Sequence, residues 1–71
     1  MGESKYVICV NGQEAQMTGS CSVFEYLERT GFDQAKVAVE KNGKIVPKAQ
    51  FTAETLSDGD RLEIVAFVGG G

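Results

Sequence analysis

The chain has 71 residues, of which 42% are hydrophobic and 24% charged, and it contains two cysteines and no histidine. This length accommodates a single domain, residues 1–71, whose small core argues against a deep catalytic cleft. The missing histidine excludes a Ser-His or Cys-His nucleophile pair within this chain, and two cysteines cannot supply a four-ligand zinc site. A net charge of −3, with seven scattered Lys and Arg residues, argues against a protein that binds nucleic acid.

Nothing in the sequence predicts membrane insertion or secretion. No apolar run approaches the roughly 20 residues that span a bilayer, and Met1–Lys5 lacks the features of a secretory signal. We therefore expect a cytoplasmic protein without a membrane partner, in which Cys9 and Cys21 are free thiols.

A β-hairpin is predicted at the start of the chain. Tyr6–Val10 is a run of β-branched and aromatic residues, and Asn11-Gly12 follows it. Asn-Gly is a strong hairpin signal because a type I′ turn needs a positive φ at both central residues. Gln13–Met17 is then the returning strand, and its polar character predicts that it is half exposed.

A polar loop leads to the predicted helix. Ser22–Glu25 has the pattern of a capping box, in which the first and last side chains bind each other's backbone N–H groups. Phe24 should cover an edge of the core, and Gly31 suits the position just after the last turn. One helical face should pack on the sheet through Val23, Tyr26, Leu27 and Thr30.

The sequence of the second half of the chain indicates three more strands, of which the first two are joined by a turn. Alternation indicates a strand at Lys36–Glu40, and Asn42-Gly43 is a second turn signal before a short strand at Lys44–Val46. Pro47 ends that strand, which suits a sheet edge because proline has no N–H group to donate. Gln50-Phe51 should anchor the irregular stretch that follows.

The last predicted strand is Arg61–Val68, after a turn at Asp58–Asp60. The two carboxylates of that turn are also candidate ligands for a hard cation, but a turn explains them without an ion. By the two-residue period of a strand, one side should face the helix through Leu62, Ile64 and Ala66. Val65 and Phe67 then face outward beside the tail, and we interpret them, with Val68, as a docking surface for a partner.

The sequence ends in Gly69-Gly70-Gly71. Glycine has no Cβ, so residues 68–71 can follow a narrow path into another protein's active site, over at most about 14 Å. A terminal α-carboxylate is ionised near neutral pH and becomes a good electrophile only when it is joined to a phosphate. The alternative interpretation is an ordinary flexible terminus.

The two cysteines are expected to be passive. Cys9 lies in the first strand and should be a small packing residue. Cys21 precedes the predicted helix N-terminus, which could lower the pKa of its thiol and make it reactive, but a loop thiol without a neighbouring base is usually inert.

The order strand, strand, helix, strand, short strand, strand predicts an α+β fold, with one main helix packed on one face of a mixed sheet of four to five strands. This layout resembles the β-grasp, or ubiquitin-like, fold with a C-terminal Gly-Gly, and within that fold it is similar to the ThiS/MoaD family of sulfur carriers, above all to its ThiS branch. Phe51 stands where the family often has tryptophan. The resemblance covers nearly the whole chain and rests on Val39–Gly43, Ile45–Lys48, Gln50-Phe51, Asp58–Val65 and Phe67–Gly71.

The resemblance implies that an E1-like adenylyltransferase, ThiF, activates the Gly71 carboxylate and that a persulfide converts it to a thiocarboxylate. A protein such as a cysteine desulfurase is the implied sulfur donor, and thiazole synthase, ThiG, is the implied acceptor in thiamine biosynthesis. Gly69 and Gly70 would thread the partners' active sites. The chain would be a carrier rather than an enzyme and would bind no cofactor or metal itself, because ATP and Mg²⁺ belong to the activating enzyme.

Three alternatives remain open from the sequence. The chain also resembles, less closely, the small subunit of molybdopterin synthase, which is another sulfur carrier of this fold. A ubiquitin-like modifier would use the same activated glycine but transfer it to lysines. A plain interaction domain would use no activated carboxylate at all.

Overall fold

The computed structural model describes residues 4–67. One five-stranded sheet has the strand order β2-β1-β5-β3-β4, in which β1 and β5 are parallel and the other neighbours antiparallel. The predicted α+β architecture, a mixed sheet with one main helix, is therefore confirmed. The elements are β1 (Lys5–Val10), β2 (Gln13–Thr18), α1 (Val23–Thr30), β3 (Val37–Lys41), β4 (Lys44–Ile45) and β5 (Arg61–Ala66).

Both predicted Asn-Gly turns are present. The first joins β1 to β2, with φ angles of 50° at Asn11 and 83° at Gly12. The second joins β3 to β4, with φ angles of 54° at Asn42 and 84° at Gly43. Left-handed backbone at both central residues matches the twist of a tight hairpin, which is why this dipeptide occurs twice.

Helix α1 begins with the predicted capping box. The Ser22 hydroxyl accepts from the Glu25 N–H at 3.1 Å, and the Glu25 carboxylate accepts from the Ser22 N–H at 3.0 Å. Gly31 ends the helix in the left-handed conformation. The predicted packing face is shorter than expected, because Thr30 is exposed and its hydroxyl instead donates to the carbonyl of Tyr26 at 2.8 Å.

The irregular stretch after β4 covers the N-terminus of α1. Phe51 is only 2% exposed, which confirms its role as an anchor. Its carbonyl accepts from the Phe24 N–H, and the carbonyl of Glu54 accepts from the Val23 N–H, both at 2.9 Å. These bonds satisfy N–H groups that have no partner inside the helix.

One hydrophobic core lies between the helix and the sheet. Strands, helix and irregular stretch all contribute, and Phe24 and Tyr26 pack against its margin. In the part of the chain that the structure describes, no helix is long and apolar enough to cross a membrane. The buried side chains are Ile8, Met17, Cys21, Val23, Leu27, Val37, Val39, Val46, Phe51, Leu56, Leu62 and Ile64.

The boundaries of the later strands differ from the prediction. Residues 34–36 form a single 3-10 turn, in which Asp33 caps the N–H of Ala35, so β3 begins at Val37 rather than Lys36. In β5 the side chains of Leu62 and Ile64 are buried as predicted, but Ala66 is exposed and ends the strand. Ala66 pairs with the first residue of β3 and thus lies at the last rung of that ladder, at the margin of the sheet.

Candidate functional site at the end of the central strand

Strand β5 is last in sequence but central in the sheet, between β1 and β3. The chain follows the sheet one residue beyond the strand, because the Phe67 N–H donates to the carbonyl of Lys36 at 2.7 Å. The remaining predicted site residues, Val68, Gly69, Gly70 and Gly71, lie outside the described residues. Their predicted roles in docking, threading and activation therefore stay predictions.

The side chain of Asn11 holds one edge of β5. Backbone pairing between β1 and β5 reaches Val10 and Leu62, and the Asn11 N–H donates to the Leu62 carbonyl at 2.9 Å. The Asn11 amide then accepts from the Ile64 N–H at 2.7 Å and donates to the Ile64 carbonyl at 3.1 Å. One side chain thus continues the ladder where β1 turns away.

The side chain of Asn42 holds the other edge of β5, near its start. Its amide oxygen accepts from the Arg61 N–H at 2.9 Å, and its amide nitrogen donates to the Asp60 carboxylate at 2.9 Å. Sequence reasoning assigned Asn11 and Asn42 only to turns. Their contacts with β5 join residues far apart in the chain, so no local pattern indicates them.

The Asp58–Asp60 segment is a turn, as predicted, with a φ of 84° at Gly59. The Asp58 carboxylate accepts from the Val7 N–H at 2.9 Å. Asp60 is 9% exposed, and its carboxylate accepts from the Ser57 N–H at 2.7 Å as well as from Asn42. The two carboxylates thus serve as acceptors that attach this turn to the sheet.

Lys41 links β3 to the segments that precede β5. Its ammonium lies 2.7 Å from the Glu54 carboxylate and 3.7 Å from that of Asp60, and it donates to the Thr55 carbonyl at 3.2 Å. The hydrogen bond to Glu54, aided by the charge of Asp60, raises the pKa of Lys41 although its partial burial acts in the opposite direction.

Apolar side chains are exposed on the outer face of the sheet, opposite α1. Val65 and Phe67 are each 56% exposed, which confirms their predicted outward orientation. Val65 lies opposite Ala38 of β3, which is exposed too. Ile45 of β4 is 75% exposed, and sequence reasoning missed it because a two-residue strand has too few positions to reveal alternation.

The sequence profile of the ThiS family matches residues 8–71, from the middle of β1 to the final glycine. The chain belongs to the ThiS family. The sulfur carrier protein ThiS of Escherichia coli is 33% identical over 64 residues, which are 90% of this chain and 97% of that protein. This membership confirms the resemblance to the ThiS branch of the sulfur-carrier family.

A solved structure of a ThiS protein has the same fold. The crystal structure of a thiamine biosynthesis protein (ThiS) from Geobacter metallireducens matches with a TM-score of 0.77 and 38% identity, over 92% of this chain and 99% of that one. The β-grasp prediction is thereby confirmed.

A thiazole synthase from Paramagnetospirillum magneticum is 47% identical over 64 residues. That match covers 90% of this ThiS-family chain but only 20% of the relative. The chain therefore spans about a fifth of that relative's length, and the relative carries a ThiS-like segment within a much larger polypeptide.

The cysteines of this ThiS-family domain lie in different surroundings. Cys21 is fully buried, and burial raises the pKa of its thiol, so the lowering that a helix N-terminus could cause is not found. Its thiol donates to the Ser22 carbonyl at 3.4 Å. Cys9 is half-buried, and its side chain points to the other face of β1 from that of the buried Ile8. It does not belong to the hydrophobic core, so the prediction that it packs there is confirmed only in part.

Proposed function

We propose that this ThiS-family domain carries sulfur for thiazole formation in thiamine biosynthesis, as a thiocarboxylate on Gly71. The observation that carries the proposal is the family match, which extends to Gly71 itself. The position of β5 supports it, because a strand held on both edges gives the glycine tail a fixed origin.

The proposed chemistry takes place at the α-carboxyl group of Gly71, which must be free. One carboxylate oxygen attacks the α-phosphate of ATP, bound with Mg²⁺ on an E1-like enzyme, and pyrophosphate leaves. The terminal sulfur of a persulfide then attacks the acyl carbon, and AMP leaves. A thiol cleaves the resulting S–S bond, which leaves a thiocarboxylate on Gly71 and a disulfide on the donor side.

Thiazole synthase is the proposed acceptor of the sulfur. The Paramagnetospirillum thiazole synthase contains a segment 47% identical to this domain, so in that protein the two share one polypeptide. A cysteine desulfurase and an E1-like adenylyltransferase are the proposed partners for loading, because the resemblance to the ThiS/MoaD sulfur carriers implies them.

The folded body should contribute to partner binding. Ordering four tail residues costs about 1–2 kcal/mol each in backbone entropy, whereas each hydrogen bond returns a net of only about 0.5–1.5 kcal/mol. A tail alone would therefore bind weakly. We propose that Val65 and Phe67, with Val68, supply apolar contact beside the entrance to the partner's active site.

Deletion of Gly70-Gly71 tests the proposal. We expect the truncated domain to melt at the same temperature as the full chain, because the five strands, the helix and the hydrophobic core are all built from residues 4–67. After incubation with the activating enzyme, ATP and a sulfur source, mass spectrometry should detect oxygen-to-sulfur exchange in the full chain and none in the truncated one.

Two results would contradict the proposal. Thiazole formation supported equally by the truncated domain would remove Gly71 from the reaction. Transfer of the activated domain onto lysines of other proteins, without sulfur exchange, would instead identify a ubiquitin-like modifier.

A further inference from the structure

Two carboxylates face each other on the outer face of the sheet. Glu40 of β3 pairs directly with Glu63 of β5, and both residues are exposed. Directly opposed residues on one face of antiparallel strands have Cβ atoms about 4.5–5.5 Å apart, and like charges at that separation destabilise the sheet.

No Lys or Arg side chain forms an ion pair with either carboxylate within residues 4–67. All seven Lys and Arg residues belong to the part of the chain that the structure describes. The ion pairs found there both involve Lys41, with Glu54 and Asp60, so neither Glu40 nor Glu63 has a Lys or Arg side-chain nitrogen within 4.0 Å. This holds even for Arg61, which lies two residues before Glu63 on the same strand.

Exposed apolar side chains border the two carboxylates. Ile45 of β4 lies directly opposite Glu40, and Val65 is the next outward residue of β5 after Glu63. They are 75% and 56% exposed, respectively. We refer to Glu40, Glu63, Ile45 and Val65 together as the acidic patch. In the isolated domain its carboxylates repel each other, whereas a partner that brings one cation surrounded by apolar groups would satisfy all four side chains.

We propose that the acidic patch binds one arginine side chain of thiazole synthase. This inference rests on the proposed function, since it assigns a contact to the proposed acceptor. A guanidinium is favoured over an ammonium because its planar set of donors can bond two carboxylates at once and because it is weakly hydrated beside apolar groups. A second copy of this chain is disfavoured as occupant, because it carries the same acidic patch and a net charge of −3.

Thiazole synthase is chosen over the other proposed partners because a relative with that name contains a segment 47% identical to this domain within its own polypeptide. A partner joined in one chain meets the domain at high effective concentration. In separate chains the same contact has to be recognised at each encounter, and charge complementarity raises the association rate of such encounters.

The test measures binding of residues 1–71 to a thiazole synthase polypeptide without a ThiS-like segment by titration calorimetry, at about 50 mM and about 500 mM salt. The variants are Glu40→Gln, Glu63→Gln and Glu63→Lys. The control is Glu28→Gln, which makes the same charge change as the two Gln variants. Glu28 is exposed on α1, which lies on the opposite side of the sheet. Melting temperatures are recorded for every variant.

At low salt we expect each Gln variant to bind about tenfold more weakly than wild type, and Glu63→Lys to bind more weakly still. The differences should shrink at high salt because ions screen the contact. The melting temperatures should stay equal or rise, since each change removes the repulsion and the ammonium introduced by Glu63→Lys would supply Glu40 with a cation from within the domain. The control should bind within about twofold of wild type.

Three results would overturn the inference. The first is that the Gln variants and Glu63→Lys bind as tightly as wild type. The second is that Glu28→Gln weakens binding as much as Glu63→Gln does. The third is that binding is lost only in variants that also have a lower melting temperature. These results differ from a failure of the proposed function. If the wild-type domain does not bind the synthase at all, the partnership fails, whereas normal binding by every variant removes only the arginine contact.

Discussion

Asn11 and Asn42 each serve two purposes at the scale of single residues. Both adopt the left-handed backbone conformation of their turns, and both use the side-chain amide to bind the backbone of β5 or the turn before it. Glycine would accept the same backbone angles but provides no amide group. The asparagine, rather than the turn alone, therefore connects each hairpin to the central strand.

The substitution Asn11→Ala should lower the free energy of unfolding by about 1–3 kcal/mol, because the N–H and carbonyl groups of Ile64 lose their partners in a partly buried position. Urea unfolding measures the loss. As a control, Asn11→Asp retains an acceptor for the Ile64 N–H and tolerance of the left-handed conformation, so it should lose less. Equal stability of Asn11→Ala and wild type would mean that water replaces the amide at no cost.

We predict that deprotonation of Lys41 lowers the free energy of unfolding at alkaline pH. Its pKa is raised in the folded state, chiefly by the hydrogen bond to Glu54, so the folded protein binds this proton more tightly than the unfolded chain does. The resulting stabilisation is fully present below the ordinary lysine pKa and is lost as the pH rises above about 10 toward the folded-state value.

Urea unfolding at a series of pH values from about 8 to about 11 compares wild type with Lys41→Met, which retains most of the apolar stem. We expect the difference in unfolding free energy between the two proteins to narrow as the pH rises through this range. A difference that stays constant would show that the Lys41 charge contributes nothing to stability.

At the scale of elements, helix α1 depends on contacts at its first turn. The capping box satisfies N–H groups at Ser22 and Glu25, and the carbonyls of Phe51 and Glu54 satisfy those of Phe24 and Val23. An eight-residue helix is too short to be stable by itself in water. The helix therefore forms only together with the irregular stretch and the sheet.

The substitution Ser22→Ala should lower the free energy of unfolding by about 1 kcal/mol, because it removes the side-chain acceptor for the Glu25 N–H. For a domain of this size that loss corresponds to a melting temperature lower by about 4–8 °C, measurable by circular dichroism. Ser20→Ala is the matched control, since Ser20 is exposed in the loop before the helix and should change stability little. Equal shifts in both variants would argue against the cap.

At the scale of the whole molecule, the last strand lies in the middle of the sheet and leads into the tail. Neighbours on both sides hold β5, so the chain reaches Phe67 in a defined direction. The side chains on the core side of β5 are buried and stabilise the domain, whereas those on its outer side are exposed. Stability and binding should therefore respond to different residues of the same strand.

The substitution Phe67→Ala should weaken partner binding more than it lowers stability, because the side chain is 56% exposed and lies beside the tail. Leu62→Ala is the contrasting variant, since Leu62 is fully buried and its truncation should cost about 2–5 kcal/mol of unfolding free energy. Calorimetry measures both quantities. A larger effect of Phe67→Ala on stability than on binding would place Phe67 in the core instead.

Features that depend on neighbouring residues could be predicted from the sequence. Asn-Gly dipeptides specify tight turns, Ser22 and Glu25 lie at the spacing of a capping box, and the two-residue period of β5 separates Leu62 and Ile64 from Val65. The order of these elements, together with the resemblance to the ThiS family, was sufficient to predict the β-grasp fold.

Only the tertiary structure decided which distant residues meet. The amide bonds of Asn11 to Ile64, the burial that raises the pKa of Cys21, the exposure of Ala66 and the pairing of Glu40 with Glu63 all depend on strand register and on what covers each position. Local sequence patterns report the conformation of a segment and the side of it that is apolar. They do not report which other segment lies against it, because that choice is made by packing across the whole sheet.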